Sequence, residues 1–189
     1  GLSSVILDAA YCGVPQARKR FFLLGVLGGT HNALNPIFRN NLATKPMTVR
    51  DYFGDSLDVN HYYRHPRNYN RRGIFSVDEP SPTVRGVNRP VPPGYTLHQG
   101  DPKGVSLSDI RPLTTGERAQ IQTFPKSFTF VGTKTNLEQM IGNSVPVKMA
   151  EFVARGLREY IDSDAVRGHG TVSPGARFQY PTTTLHRTR

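Results

Sequence analysis

The stretch Tyr11-Cys12-Gly13-Val14-Pro15-Gln16-Ala17-Arg18-Lys19-Arg20-Phe21-Phe22-Leu23-Leu24-Gly25-Val26 decides the fold. Its first five residues are turn-rich. From Arg20 onward it reads as an apolar strand, of the type buried on both faces of a parallel sheet. Between turn and strand, Gln16, Arg18 and Arg20 alternate with Ala17 and Lys19. At strand period the first three share one face. Two guanidiniums and an amide on one face can grip a phosphate and a base carbonyl together, because a planar fork donates in two directions. A surface strand with ordinary basic residues accounts for the same pattern. The supporting detail is that an arginine leads directly into an apolar strand, which sets its head at a sheet edge, where loops make sites.

Working outward, Val5-Ile6-Leu7 reads as a short buried strand, and Gly28-Gly29 ends the long one. Residues 30–109 begin with a loop and a short helix at Thr48-Val49-Arg50-Asp51-Tyr52-Phe53, capped by Thr48 with Asp51 three residues on. Pro66, Pro80, Pro82, Pro90, Pro92, Pro93 and Pro102 then break any long element, so short strands and ordered loops are expected.

From Arg111 the chain reads as helical. Thr114-Thr115-Gly116-Glu117 is a capping box before a helix to Thr123, which Pro125 stops. Asn143 or Ser144 caps a second helix, with Pro146 near its first position. Val147, Ala150, Ala154, Leu157 and Ile161 recur at helical spacing and form its expected apolar stripe. After Asp164 the chain turns polar and is read as a flexible tail over 164–189.

The 189 residues are enough for one ordinary domain or two small ones. Their net charge of +10 points to a polyanionic partner, most often nucleic acid, although a basic protein without one has the same balance. Cys12 is the one cysteine, which excludes an internal disulfide and a cysteine-rich zinc site. A reducing, cytoplasmic compartment fits, with a nucleoid-associated role in a prokaryote. No apolar run approaches the roughly 20 residues of a membrane span. The first residue is Gly1 rather than Met, as expected of a start inside a longer chain or a processed start.

Three blocks in order resemble the C-terminal conserved blocks of DNA (cytosine-5) methyltransferases. Residues 11–22 are similar to block VIII, Gly-[Val/Ile]-Pro-Gln-x-Arg-x-Arg before an apolar strand. Arg111-Pro112-Leu113-Thr114, with Glu117, Gln122, Phe124 and Pro125, resembles block IX. Ile141-Gly142-Asn143-Ser144-Val145-Pro146-Val147 resembles block X. Each block alone is moderately specific; their order, around a basic loop-rich segment, is far more so. The resemblance implies a partial Rossmann-like α/β methyltransferase domain over 1–29 and 110–163. A small β/loop-rich target-recognition domain would occupy 30–109.

The family flips a cytosine out of the duplex, adds a cysteine thiolate to C6, and methylates C5 from S-adenosylmethionine. By resemblance, Arg20 contacts the cytosine O2, Arg18 faces the phosphate side, and Gln16 belongs to the same catalytic face. Thr83, in Pro80-Ser81-Pro82-Thr83-Val84-Arg85-Gly86, touches the backbone around the flipped nucleotide; a β-turn entering a strand explains the same residues. Asn143, Ser144 and Val145 are implied to line the cofactor, while a plain helix cap remains the alternative. Arg111 and Glu117 are read as organising the recognition domain rather than touching DNA.

Segment 61–104 carries seven Lys or Arg against three acids, interleaved with Tyr62, Tyr63, Tyr69, Phe75 and Tyr95. It is expected in the major groove, where arginine and asparagine read base edges. Arg67, Asn68, Asn70, Arg71, Arg72 and Arg89 form the base-reading pool, with Arg85 beside Thr83. The alternative for each is a solvated basic loop. His61, His65 and His98 raise a metal site, which no cysteine or close histidine pair supports.

These residues contain no Phe-x-Gly-x-Gly loop, no Pro-Cys pair and no Glu-Asn-Val block, which the family uses for cofactor, nucleophile and N3 protonation. Cys12 follows Tyr11 and is read as a small buried filler. The expected function is therefore the C-terminal fragment or subunit of a restriction-modification methyltransferase. It would be inactive alone, acting on double-stranded DNA with an N-terminal half or partner subunit. The alternatives are a non-catalytic DNA-binding module or relic, and a generic basic RNA- or ribosome-associated protein. Charge, stripe and caps by themselves give only a basic α/β chain that binds an anion.

Overall fold

In the computed structural model, which describes residues 1–68 and 70–163, β1 (Leu2–Asp8) runs antiparallel to β3 (Lys19–Gly25). The expected tail over 164–189, and Tyr69 of the basic segment, lie outside the described residues. Ile6 stands opposite Phe21 and Leu7 opposite Arg20. The chain reverses between the strands through a 3-10 turn at Ala9–Tyr11 and Gly13, whose φ of 77° suits a residue without Cβ.

The strand at 20–26 was expected to be buried on both faces in a parallel sheet, and it is neither. A tight connection returns the chain beside itself, so the pairing is antiparallel. One face, with Leu7, Phe22 and Leu24, packs into a core; on the other Ile6 is 68%, Phe21 64% and Leu23 62% exposed. A run apolar on both faces does not reveal which face its neighbours cover.

Two helices cover the inner face: α1 (Leu34–Asn41) and α5 (Val147–Asp162). Helix α1 was not anticipated, and its Leu34 and Phe38 join the core with Met149, Val153 and Tyr160. Helix α5 was expected, but on a different stripe. Met149, Val153, Gly156 and Tyr160 point inward, while Val147, Ala150, Ala154 and Ile161 are exposed and Leu157 is half-buried. Gly156 sets this rotation, because a Cβ there would meet the Phe38 ring at 2.5 Å.

The second core lies between β3 and α5 in the sequence. Helix α2 (Val49–Phe53) forms with the expected Thr48–Asp51 capping box. Strands β4 (His61–Tyr63) and β5 (Ile74–Ser76) pair antiparallel, and β6 (Ser81–Pro82) returns parallel to β2 (Gln16–Ala17). Helices α3 (Thr115–Ile121) and α4 (Lys134–Asn143) close it. Tyr62, Phe75, Val84, Leu113, Ile121 and Ile141 pack together there. The proline-rich loops are held from within. Buried Asp101 accepts the N–H groups of Gly73, Ile74 and His98 and the Tyr95 hydroxyl.

The cores thus follow other boundaries than the expected 1–29 with 110–163 against 30–109. Helix α1 belongs with the ribbon, and α3 and Ile141 belong with the loop-rich part. Among the described residues no helix is long and apolar enough to cross a membrane.

Candidate nucleic-acid interface

Gln16 and Arg18 point inward as their alternation requires, while Ala17 and Lys19 are exposed. Both are fully buried, with Arg18 only 2% exposed. The Arg18 guanidinium donates to the Val84 carbonyl at 2.9 Å and to the Gly142 and Ser144 carbonyls at 2.9 and 3.0 Å. Gln16 accepts the Val84 N–H and donates to Gln122, each at 2.9 Å. Arg18 was expected on the phosphate side. Instead its fork is taken up by three backbone carbonyls, because the parallel β2–β6 pairing brings segment 83–86 over it. Burial, and then repulsion from Arg20, lower its pKa to about 10. Arg20 is half-exposed, and its guanidinium donates to the Lys19 carbonyl at 2.9 Å.

Thr83 sits on the same strand edge, its hydroxyl donating to the Ala17 carbonyl at 2.9 Å and its own carbonyl accepting from Arg64 at 2.9 Å. Beside it opens a cleft of about 470 Å³ lined by five arginines, Arg64, Arg67, Arg71, Arg72 and Arg85, with Thr83 at its edge. No acid lines it. Burial first, and Arg85 second, bring the Arg64 pKa down to about 10. Burial and then Arg67 lower that of Arg85. Arg64 and Arg85 thus lie, partly buried, among other cations, and an anion would relieve that positive field. A cleft of similar size, about 480 Å³, sets Asp55, Asp58 and Asp109 against Arg50 and His61 and so lacks that unopposed positive lining.

The five arginines divide by partner. Arg72 pairs with Glu79 and stacks over Phe75 at 4.2 Å, and Arg85 donates to the His65 carbonyl. Arg67 and Arg71 make no ion pair among the described residues, and neither does Arg89, which lies outside the cleft lining. Arg64, which carries Thr83, was not singled out from the sequence. Arg118 was missed as well, and Gln122 was read only as part of block IX. Arg118 donates to the Arg85 carbonyl and pairs with buried Glu138, and no sequence signal marks such a long-range pair.

At the other end of the Arg18 clamp, Asn143 is the last residue of α4 and is exposed. Ser144 is the C-cap of α4, its hydroxyl donating to the Ile141 carbonyl at 2.8 Å. The expectation that Asn143 or Ser144 caps α5 is corrected: Pro146 holds that position without a side-chain bond. The two helices follow so closely that one residue pair ends the first instead of starting the second. Val145 and Val147 remain 42% and 37% exposed next to the Asn143 amide. An exposed amide beside exposed valines fits one wall of a site for a polar, partly apolar cofactor. Gly142 is the unflagged residue here: a Cβ on it would collide with the Arg85–Gly86 peptide. A glycine two residues before the Ser144 cap is the signal that could have shown this close approach.

The buried Cys12 thiol donates to the Asp8 carbonyl, and burial, then Asp8, push its pKa up to about 12. It stays protonated and is no nucleophile at neutral pH. Among the described residues no three His, Cys, Asp or Glu side chains are grouped to hold a metal ion.

A model of C-5 cytosine-specific DNA methylases matches residues 1–159. The Type II methyltransferase M.HindV of Haemophilus influenzae is 63% identical over 170 residues, covering 90% of this chain and 56% of that protein. The Type II methyltransferase M.HgiDI of Herpetosiphon aurantiacus is 57% identical, covering 85% of this chain and 52% of that protein. The chain spans about half the length of these curated relatives. The crystal structure of the S. pombe Dnmt2 methyltransferase shares the fold, with a TM-score of 0.50 at 15% identity over 86% of this chain and 58% of that one.

Proposed function

The chain belongs to the C-5 cytosine-specific DNA methylase family, and from that premise we propose that it supplies target recognition and one wall of the cofactor site to a DNA (cytosine-5) methyltransferase. The observation that carries this reading is the arginine cleft, which opens beside Thr83 and Ala17 next to the arginine pair of the first strand unit. Double-stranded DNA is the substrate. Arg67 and Arg71, without ion-pair partners among the described residues, meet phosphates or base edges, and Arg89 does so from outside the cleft. Arg72, Arg64 and Arg85 build the cleft and supply its charge. Thr83 meets the backbone around the flipped nucleotide, and Arg20 holds the cytosine O2.

S-adenosylmethionine, when bound, supplies the methyl group. This chain's part toward it is the exposed Asn143 amide for hydrogen bonding and Val145 for apolar contact, with Ser144 fixing their loop. The nucleophilic cysteine and the glycine loop belong to an N-terminal half or partner subunit, and the chain by itself transfers no methyl group. The relatives are Type II methyltransferases, which suits a role in restriction-modification. A DNA-binding module without a catalytic partner shares the cleft but has no use for the Asn143–Val145 wall.

The test is duplex binding by the chain as a function of salt. The wild type should bind with a steep salt dependence. Arg67→Ala/Arg71→Ala should weaken binding to unrelated sequences alike and lower the log–log slope by about 0.9 for each phosphate no longer neutralised. An unchanged slope would remove the cleft from the DNA interface.

A further inference from the structure

Two sites emerge at opposite ends of one buried hydrogen-bond network: the arginine cleft at Thr83–Arg85, and the loop at Gly142–Val145. Val84 lies at the centre. Its carbonyl takes an Arg18 N–H at 2.9 Å, and its N–H is taken by the Gln16 amide oxygen at 2.9 Å. From Arg18 the other terminal nitrogen reaches the Gly142 and Ser144 carbonyls, which flank Asn143. From Gln16 a second route runs to Gln122 at 2.9 Å and on to the Ile141 carbonyl at 2.5 Å, while the Gln122 carbonyl accepts the Val147 N–H at 3.1 Å. Gln16 and Gln122 are 0% exposed. The contact is tight in the backbone too, since Gly142 packs directly on the Arg85–Gly86 peptide. Arg118 fixes the same segment from below through the Arg85 carbonyl.

We propose that Arg18 is a positioning residue that couples the DNA cleft to the Gly142–Val145 loop, so that DNA bound at Thr83–Arg85 orders the cofactor-facing wall. This rests on the reading of the cleft as the DNA site. Arg18 touches neither DNA nor cofactor; it acts through three carbonyls. Both terminal nitrogens of Arg18 are committed to backbone carbonyls, and such a buried network has few alternative arrangements. Shifting segment 83–86 therefore moves or strains segment 141–145 through bonds with no solvent to replace them. Coupling of this kind is reciprocal, so a cofactor settling against Asn143 tightens the cleft as much as DNA tightens the loop. Arginine suits the position because one side chain bonds two segments at once. A lysine ammonium is a single point on a flexible stem and cannot span all three acceptors in the same geometry.

The experiment is amide hydrogen exchange of the whole chain, free and bound to a 20-base-pair duplex, for wild type, Arg18→Lys and Arg18→Met. In the wild type, DNA should slow exchange at 64–72 and 83–86, and also at 141–145, there by about fivefold or more, the lower end of ordinary coupling between sites. In Arg18→Lys the cleft should stay protected while the added protection at 141–145 is largely lost. Arg18→Met should lose it altogether. If methionine leaves the chain unfolded by circular dichroism, the lysine variant decides, supported by Gly142→Ala, which pushes the two backbones apart and should have the same effect. A loop protected equally by DNA in Arg18→Lys and wild type overturns the coupling, as does a wild-type loop that ignores DNA while the cleft responds. If DNA protects neither region, the reading of the cleft itself falls, and the coupling with it.

Discussion

Arg20 is half-exposed two residues from the buried Arg18, close enough to lower its neighbour's pKa. The pair shows what residue-level reading can and cannot supply. Alternation placed Gln16, Arg18 and Arg20 on one face, and burial follows that alternation. It did not say how far each side chain lies from solvent. That depends on segment 83–86, which reaches Arg18 from 66 residues away. The two arginines consequently take different roles, Arg18 inside the protein and Arg20 at its surface. In a complete enzyme containing this chain, Arg20→Ala should lower kcat by about a hundredfold, as for loss of one donor to developing charge. The duplex Kd should move far less. Steady-state kinetics with parallel binding measurements would show it, and unchanged turnover would refute the contact to cytosine.

Capping boxes were the most legible elements, because their chemistry is confined to four consecutive residues. Thr48 with Asp51, and Thr114 with Glu117, both close as their spacing predicts. Glu117 also receives the Arg111 fork through two bonds of 2.8 Å. Burial works against its carboxylate, but Arg111 and the Thr114 N–H outweigh it and hold the pKa below the usual value. A depressed folded-state pKa means stability that is complete above the unfolded value and lost as pH falls through the folded one. Glu117→Gln should therefore melt lower than wild type at neutral pH, and the gap should narrow on acidification below about pH 4. Melting curves at pH 7 and pH 3 measure this; a constant gap would mean that the ionised form contributes nothing.

Helix faces were less legible. In α5 two apolar stripes alternate at helical spacing, and only packing against Phe38 selects the one through Gly156. Helix α4 went unread, since its apolar residues are few and its cap, Thr133, stands without a capping-box partner. The loop-rich part was legible as loops, from its prolines. That a single buried carboxylate, Asp101, organises several of them is a long-range fact with no local pattern.

At the scale of the molecule, composition gave a basic protein, and three short blocks gave the family that the match over residues 1–159 bears out. The division into cores was not legible, because α1 and α3 join partners distant in sequence. The exposed Ile6, Phe21 and Leu23 form an apolar ribbon face on the side away from α1 and α5. On the proposed function, this face meets the rest of the methyltransferase. The most direct measurement is methyl transfer after mixing. The chain should show no transfer of label from S-adenosylmethionine to duplex DNA. It should gain transfer to cytosine C5 when combined with an N-terminal half bearing the Pro-Cys pair. A combined preparation that forms a complex, binds duplex DNA and still leaves cytosine unmethylated would contradict the account.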